Sequence, residues 1–406
     1  MPEARAQQAA PANPTKTNPP GRHAAAPFLG MLDAVLVESP VEYVFDCAIP
    51  RDDAAAAWLW MVRDLAPDLI DIETSADDPA NLQALESLMP DLLERANTAM
   101  NATASHPEAA RRIKTQLGGE EAWERLPAIL NTLRSRALLE KAQGFGRAAN
   151  AIPDDASLMQ ALQSMPLSDQ GVTAILMMAM TGQVANPSRL VMAAIRLSGG
   201  ATENTLMRAG FAPLIDAILA HAQNQIPALS QFGTFGDMDK MCRAIDRFHR
   251  LVRAVNGYVE LNRGSRWSMV TGNLTKAVSE RIDPKLRDVA PDLNKALRKR
   301  DGADRVDPDQ ILSALNGVYL VATVRDCRDS LAVNALFDQV WSQIGQALEI
   351  HIERGLENLR QNPADKNASA RLDAGIKMAE LRFNAEYAEV LRRAKETAER
   401  RFTPQG

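Results

Sequence analysis

Proline standing directly behind a capping residue recurs along this chain: Ser39-Pro40, Asp78-Pro79, Asn186-Pro187, Asp283-Pro284 and Asp307-Pro308. Proline at the first helical position forfeits nothing, because its missing N–H would be unpaired there anyway. The residue before it offers a side-chain oxygen to the free amides of the first turn. Repeated starts of this kind divide the chain into a series of helices of ordinary length. Asp307-Pro308-Asp309-Gln310 adds a glutamine three residues after the cap, the capping-box arrangement. No self-similarity at a fixed period accompanies them, so a solenoid is not indicated.

Composition agrees with helices. Ala, Leu, Met, Arg and Glu lose little freedom in a helix and are plentiful, while aromatics make up 5%. At 406 residues the chain is long enough for two or three domains. The expected class is all-α: multi-helix, bundle-like domains with a disordered N-terminal tail and a C-terminal helical hairpin.

The tail is residues 1–27, rich in Ala, Pro, Thr, Gln and Asn, which bury too little apolar surface to offset their ordering. An acidic helical region over 28–150, a helical core with a basic surface over 151–305, and a long-helix hairpin over 306–406 follow. The boundaries fall at the polar stretches Ala151 to Asp155 and Asp301 to Asp304.

One segment breaks the helical pattern. Val41, Tyr43, Phe45, Cys47 and Ile49 alternate with Glu42, Val44, Asp46 and Ala48, the period of a strand. Ser39-Pro40-Val41-Glu42 is equally a capping-box start. A short strand near 41–49 and a helix there both stay open.

Elsewhere the helical expectations are Asp53 to Leu65, Ala156 to Met165, Gly171 to Met180, Pro187 to Leu197, Leu206 to Ala222 and 239–259. Asp309 to about Arg360 holds no proline. It predicts two helices broken near Asp326–Leu331, or one of about 75 Å at 1.5 Å per residue. After a turn at Gln361-Asn362-Pro363, Leu372, Ile376, Ala379, Phe383, Tyr387, Val390 and Ala394 step as a single apolar stripe over 368–402.

Charge is unevenly spread. Residues 31–100 carry 15 acidic and 3 basic side chains, a balance of −12, whereas 240–300 carry 15 basic and 6 acidic, a balance of +9. The whole chain is only −5. Such asymmetry points to an electrostatic partner, either outside the chain or in its other half.

The helix at 239–259 is the best defined. Met241, Ile245, Phe248, Val252, Val255 and Val259 fall within an arc of about 80°. Lys240, Arg243, Arg247, Arg250 and Arg253 centre roughly opposite, interrupted by Asp246, and form the expected partner-binding face. Arg263, Arg266, Lys295, Arg298, Lys299 and Arg300 extend the positive charge.

No catalytic or metal-ligating constellation is legible. His23, His106, His221, His249 and His351 lie apart, and none pairs with a second His or Cys at ligand spacing. Glu349, His351 and Glu353 point to different sides of a helix. Gly144-Phe145-Gly146-Arg147-Ala148-Ala149 matches a dinucleotide glycine pattern but follows a helix rather than a strand, so a helix end or loop is expected. Asp301, Asp304, Asp307 and Asp309 lack the spacing of a calcium loop.

Cys242 and His249 are two turns apart, too far for a thiolate–imidazole pair. Three scattered cysteines, Cys47, Cys242 and Cys327, fit a reducing compartment. Methionines at 177, 178, 180, 192 and 207 suit a core or a peptide groove. No apolar run approaches the roughly 18 residues of a membrane span, and no signal-peptide core opens the chain, so a cytoplasmic protein is expected.

These features favour a non-enzymatic helical adaptor or scaffold that binds another protein and needs no cofactor. An exported effector or secretion accessory using residues 1–27 as its signal is a second reading. Nucleic-acid binding through 240–300 is a third, disfavoured by the acidic total and the few interleaved aromatics.

Overall fold

Many of the described helices begin at a side-chain oxygen. Asp154 accepts the Ser157 N–H, Asp169 that of Val172, Asn186 that of Ser188, Thr202 that of Thr205, and Ser265 that of Ser268. Asp307 accepts from both Asp309 and Gln310, and Asp365 from Asn367 and Ala368. Each such cap contributes about 1 kcal/mol. The computed structural model describes residues 26–70, 79–164, 169–229, 236–299 and 305–400. Among them are seventeen α-helices and one sheet of two very short strands, so the chain is all-α. The expected tail lies outside the described residues, except that Ala26 and Pro27 already belong to the first helix.

The chain divides into two compact units, 1–39 with 49–136, and 40–48 with 137–406. The second runs through residue 305 without a division, and 301–304 lie outside the described residues.

The first unit contains α1 (Ala26–Leu32), α2 (Arg51–Trp60, continued by a wider turn over Met61–Leu65), α3 (Pro79–Ser105), α4 (Pro107–Leu117) and α5 (Glu120–Arg134). Its core gathers Phe28, stacked on Trp58 at 5.0 Å, with Trp60, Met61, Leu92, Leu126 and Ile129. Strands β1 (Leu36–Val37) and β2 (Ile49–Pro50) pair in parallel, Leu36 opposite Ile49. Ser39 does not start a helix at Pro40. Its hydroxyl accepts the Asp52 N–H instead and so serves α2.

The second unit contains α6 (Arg136–Ala149), α7 (Asp155–Gln163), α8 (Gln170–Gln183), α9 (Pro187–Ser198), α10 (Glu203–Arg208), α11 (Ala212–Gln223), α12 (Gly236–Asn256) and α13 (Arg266–Leu297). It ends with α14 (Pro308–Cys327), α15 (Asn334–Gln361), α16 (Lys366–Arg382) and α17 (Ala385–Arg400). Helix α11 packs against α8 and α12, and α13 against α14 and α15. The residues α11 contributes, Leu214, Ile215, Ala217, Ile218, Leu219 and Ala220, are all buried.

Residues 41–48 form neither strand nor helix. Their alternation is nonetheless real: Phe45 and Cys47 are buried while Glu42, Val44 and Asp46 are exposed. The backbone bonds that a neighbouring strand would make go to side chains of the second unit. The Tyr43 N–H donates to Gln223 Oε1 at 2.7 Å, and Gln223 Nε2 donates back to the Tyr43 carbonyl at 3.0 Å. Arg266 donates to the Val44 carbonyl at 2.7 Å and lies 5.0 Å over the Phe45 ring.

Four further expectations are corrected. Asp283-Pro284 does not start a helix: Pro284 and Pro291 both lie inside α13. Asp283 binds Arg287 instead, and the continuous buried row Ile282, Leu286, Val289 and Leu293 outweighs the roughly 3 kcal/mol that an interior proline costs. The 206–222 helix is two, α10 and α11, divided where Gly210 turns left-handed (φ 81°). Gly144 and Gly146 lie within α6 rather than in a loop. A Cβ on Gly146 would come within 2.4 Å of the Met180 carbonyl, so this glycine lets α6 reach the end of α8.

Finally, the 368–402 stripe breaks. Phe383 leaves helical geometry (φ −107°, ψ −83°), and Asn384 caps a new helix by accepting the Tyr387 N–H at 2.7 Å. The phase slips there, so Ala388, Leu391 and Ala398 are buried while Val390 is 62% exposed. The break expected near Asp326–Leu331 occurs over 328–333, and α15 and α16 make the expected hairpin turn.

Candidate functional site

Helix α12 carries the amphipathic pattern read from the sequence. Its apolar row, Met241, Ile245, Phe248, Val252 and Val255, is buried throughout. Lys240, Arg243, Arg250 and Arg253 are exposed opposite that row. Each of two arginines has its own carboxylate one turn back: Arg243 pairs with Asp239, and Arg250 with Asp246 at 2.8 Å.

Arg247 departs from the face. It is half-buried and donates to the Val184 carbonyl at 2.5 Å and the Thr181 carbonyl at 2.8 Å. The last carbonyls of a helix have no partner within it. Arg247 of α12 and Asn150, donating to Gln183 O at 2.9 Å, serve the end of α8, and His221 of α11 lies with Nε2 2.9 Å from Met178 O, one turn further back. Arg189 does the same for α6, donating to Ala149 O and Ile152 O.

An open groove of about 560 Å³ runs beside α12, with Arg243, Asp246, Tyr319, Arg325, Glu380 and Phe383 among its lining. Tyr319 is 41% exposed there. One wall continues as a ladder: Phe337 stacks on Trp341 at 5.6 Å, the Arg382 guanidinium lies 4.0 Å over Trp341, and Phe383 follows at 4.9 Å. Arg382 Nε also donates to the Trp341 carbonyl at 2.9 Å, which fixes the stack.

The thiols are poor nucleophiles. All three cysteines are buried. Burial pushes Cys242 up to about 11 and Cys327 up to about 12, and drives Cys47 upward as well. Each stays protonated near neutrality, whereas the thiolate is the reactive form. His249 is paired with the Ser330 hydroxyl at 2.9 Å rather than with Cys242. Among the described residues no group of three or more His, Cys, Asp or Glu is placed to hold a metal, and no helix is long and apolar enough to cross a membrane. Asp307 is a helix cap, Asp309 lies in the first turn of α14, and Asp301 and Asp304 lie outside the described residues.

A second concentration of cations lies elsewhere in the same unit. A cavity of about 220 Å³ is bordered by Arg298 and Lys299 at the end of α13, His351 and Arg354 of α15, and Arg371 of α16. None of its described lining residues is acidic. Arg298 and Lys299 belong to the basic 240–300 region seen in the sequence. His351 is legible in the sequence only beside Glu349 and Glu353, while Arg354 and Arg371 stand among Glu353, Glu357 and Asp373 along the chain, and only the packing of three helices brings the three together.

No protein-family model, curated protein or solved structure matches the chain. The chemistry on offer is therefore that of the residues themselves: exposed permanent cations beside an aromatic wall, with the thiols buried and protonated and with His221, His249 and His351 each hydrogen-bonded within the fold.

Proposed function

We propose that this protein is a non-enzymatic helical adaptor that binds an acidic segment of another protein along α12 and the adjoining groove. The observation that carries the reading is the placement of Lys240, Arg243, Arg250 and Arg253 on the exposed side of a helix whose opposite side is wholly buried, next to a groove with Tyr319 and Phe383 in its walls. Rim cations of this kind steer an acidic partner and set its salt dependence. Affinity comes from an apolar or aromatic anchor seated among Tyr319, Phe383 and the Arg382–Trp341 stack. The protonated thiols and the structurally engaged histidines support a binding role over a catalytic one.

Arg247 is left out of the binding face, since its guanidinium is committed to α8. Immobilised full-length protein and the variant Lys240→Glu/Arg243→Glu/Arg250→Glu/Arg253→Glu, compared by quantitative mass spectrometry of retained proteins, test the reading. The wild type should retain an acidic protein that elutes as salt rises, with retention at least about tenfold lower for the variant and an unchanged melting temperature. Equal retention by the two proteins overturns it.

A further inference from the structure

We propose that the cavity between the end of α13, α15 and α16 is a binding site for a small organic phosphate carrying more than one phosphoryl group. The inference is independent of the adaptor reading and uses none of the α12 residues.

Three separate helices deliver positive charge to one concavity: Arg298 and Lys299 from the first, Arg354 from the second, Arg371 from the third. The contrast with the rest of the surface is chemical. Many other arginines and lysines come with carboxylates, as in Arg243–Asp239, Arg287–Asp283, Arg360–Glu357 and Lys395–Asp373. The nearby acids Glu357 and Asp373 are thus already paired away from the cavity. Arg298, Lys299 and Arg354, three like charges gathered at one hollow, repel one another, and a multiply charged anion converts that repulsion into attraction.

The cavity's construction suits an organic anion. Its floor is apolar, with Leu297, Ile352 and Leu372, all buried. Gly355 and Gly375 line it too, and there the helices meet so closely that a Cβ would stand 3.3 Å from Leu372 and Ile352 respectively. Charges over an apolar floor act through a lower effective dielectric than charges in open water. The carbon body of a ligand can lie on that floor while its phosphoryl groups face the rim. Arg298, Lys299 and Arg354 are exposed at the mouth. Arg371, only 9% exposed, is engaged by an interaction of its own and lines the cavity below them. Guanidinium groups match phosphoryl oxygens in geometry as well as in charge.

His351 makes the site reportable. Its Nε2 lies 2.9 Å from Asn294 Oδ1, so the neutral ring donates there and leaves Nδ1 as the nitrogen that titrates. Burial, and then Arg354, hold its pKa below the ordinary histidine value. An anion seated between Arg298, Lys299 and Arg354 favours the imidazolium and moves that pKa upward.

Calorimetry of the full chain at low salt, with inorganic pyrophosphate, ADP, inorganic phosphate and adenosine as probes, tests the proposal. Pyrophosphate and ADP should saturate one site per chain, ADP the more tightly. Phosphate should bind at least about tenfold more weakly than pyrophosphate, and adenosine should give no heat. Arg354→Glu, and separately Arg298→Glu/Lys299→Glu, should each weaken ADP binding at least about tenfold, while Arg243→Glu/Arg250→Glu should change it less than about twofold. The ring resonance of His351, assigned by its loss in His351→Gln, should titrate at higher pH in the ADP complex. Three results each overturn the proposal: no saturable binding of pyrophosphate or ADP up to about 10 mM, variants that melt and bind like the wild type, or an ADP complex in which His351 titrates as in the free protein.

Discussion

Two arginine–histidine pairs in the larger unit show opposite uses of the same chemistry. Arg247 and His221 sit at the end of α8, where both are spent on backbone carbonyls. Arg354 and His351 sit on α15, where the histidine binds only Asn294 and both border a cavity. In each pair burial, and then the arginine, lowers the histidine pKa. The first pair closes a helix end, and the second faces space. A cation's place on a helical wheel therefore identifies its face but not its employment, which depends on whether an orphaned carbonyl lies within reach.

The largest effect that would sharpen this contrast is acid sensitivity. His221 is held at about 4 by burial first, with Arg247 adding to it, against an unfolded value near 6.5. Above about pH 6.5 both states are neutral, and the histidine does not make stability depend on pH. As pH falls from there toward 4 the unfolded chain takes up a proton that the folded ring refuses, so stability declines across that window. The decline should reach about 2–3 kcal/mol by pH 4, seen as a urea midpoint shift. His221→Gln, which keeps an N–H donor for Met178, should remove most of that slope. An unchanged slope would break the comparison at its first member.

Arg247 comes next. Arg247→Met keeps much of the packing but strands the Val184 carbonyl and leaves the Thr181 carbonyl only the Val184 N–H, and should lower stability by about 2 kcal/mol in urea titration. Its neighbours on the same face differ in kind. Arg243→Gln and Arg250→Gln each remove an exposed pair with an aspartate one turn back and should leave the urea midpoint unchanged.

The same contrast marks what was legible in the sequence. The α12 apolar row could be read residue by residue, because a rigid helix with one buried side imposes its period on the chain. The helix starts at Asn186 and Asp307 could be read because a cap acts within four residues. The break at Phe383 could not, since Asn384 begins a new helix without disturbing the 3–4 spacing, and only Val390 standing in solvent betrays the slip. Pro284 misled for the opposite reason: a local breaking signal was overruled by long-range packing of Ile282, Leu286 and Leu293. The 41–48 segment announced an extended chain but not its partner, as its hydrogen bonds run to Gln223 and Arg266, some 180 and 222 residues away. Arg298 and Lys299 were visible as charge, but Arg354 and Arg371 joined them only through tertiary structure.

The smallest expected effect tests the open pair. Arg354 is exposed, shares its cavity with Arg298, Lys299 and Arg371, and has no acidic neighbour among the described residues of that lining. Removing a buried cation from a carbonyl cage costs stability, whereas removing one cation from a like-charged group relieves repulsion. Arg354→Gln should thus leave the urea midpoint unchanged or raise stability by no more than about 0.5 kcal/mol at low salt, with the difference fading as screening shortens to about 10 Å near 0.1 M. The substitution also removes the second cause that depresses His351, so the His351 ring should titrate closer to the ordinary histidine value, followed by its proton resonance across pH 5–8. A loss of stability as large as that expected for Arg247→Met would mean that Arg354 also closes part of the fold, and the distinction between the two pairs would fail.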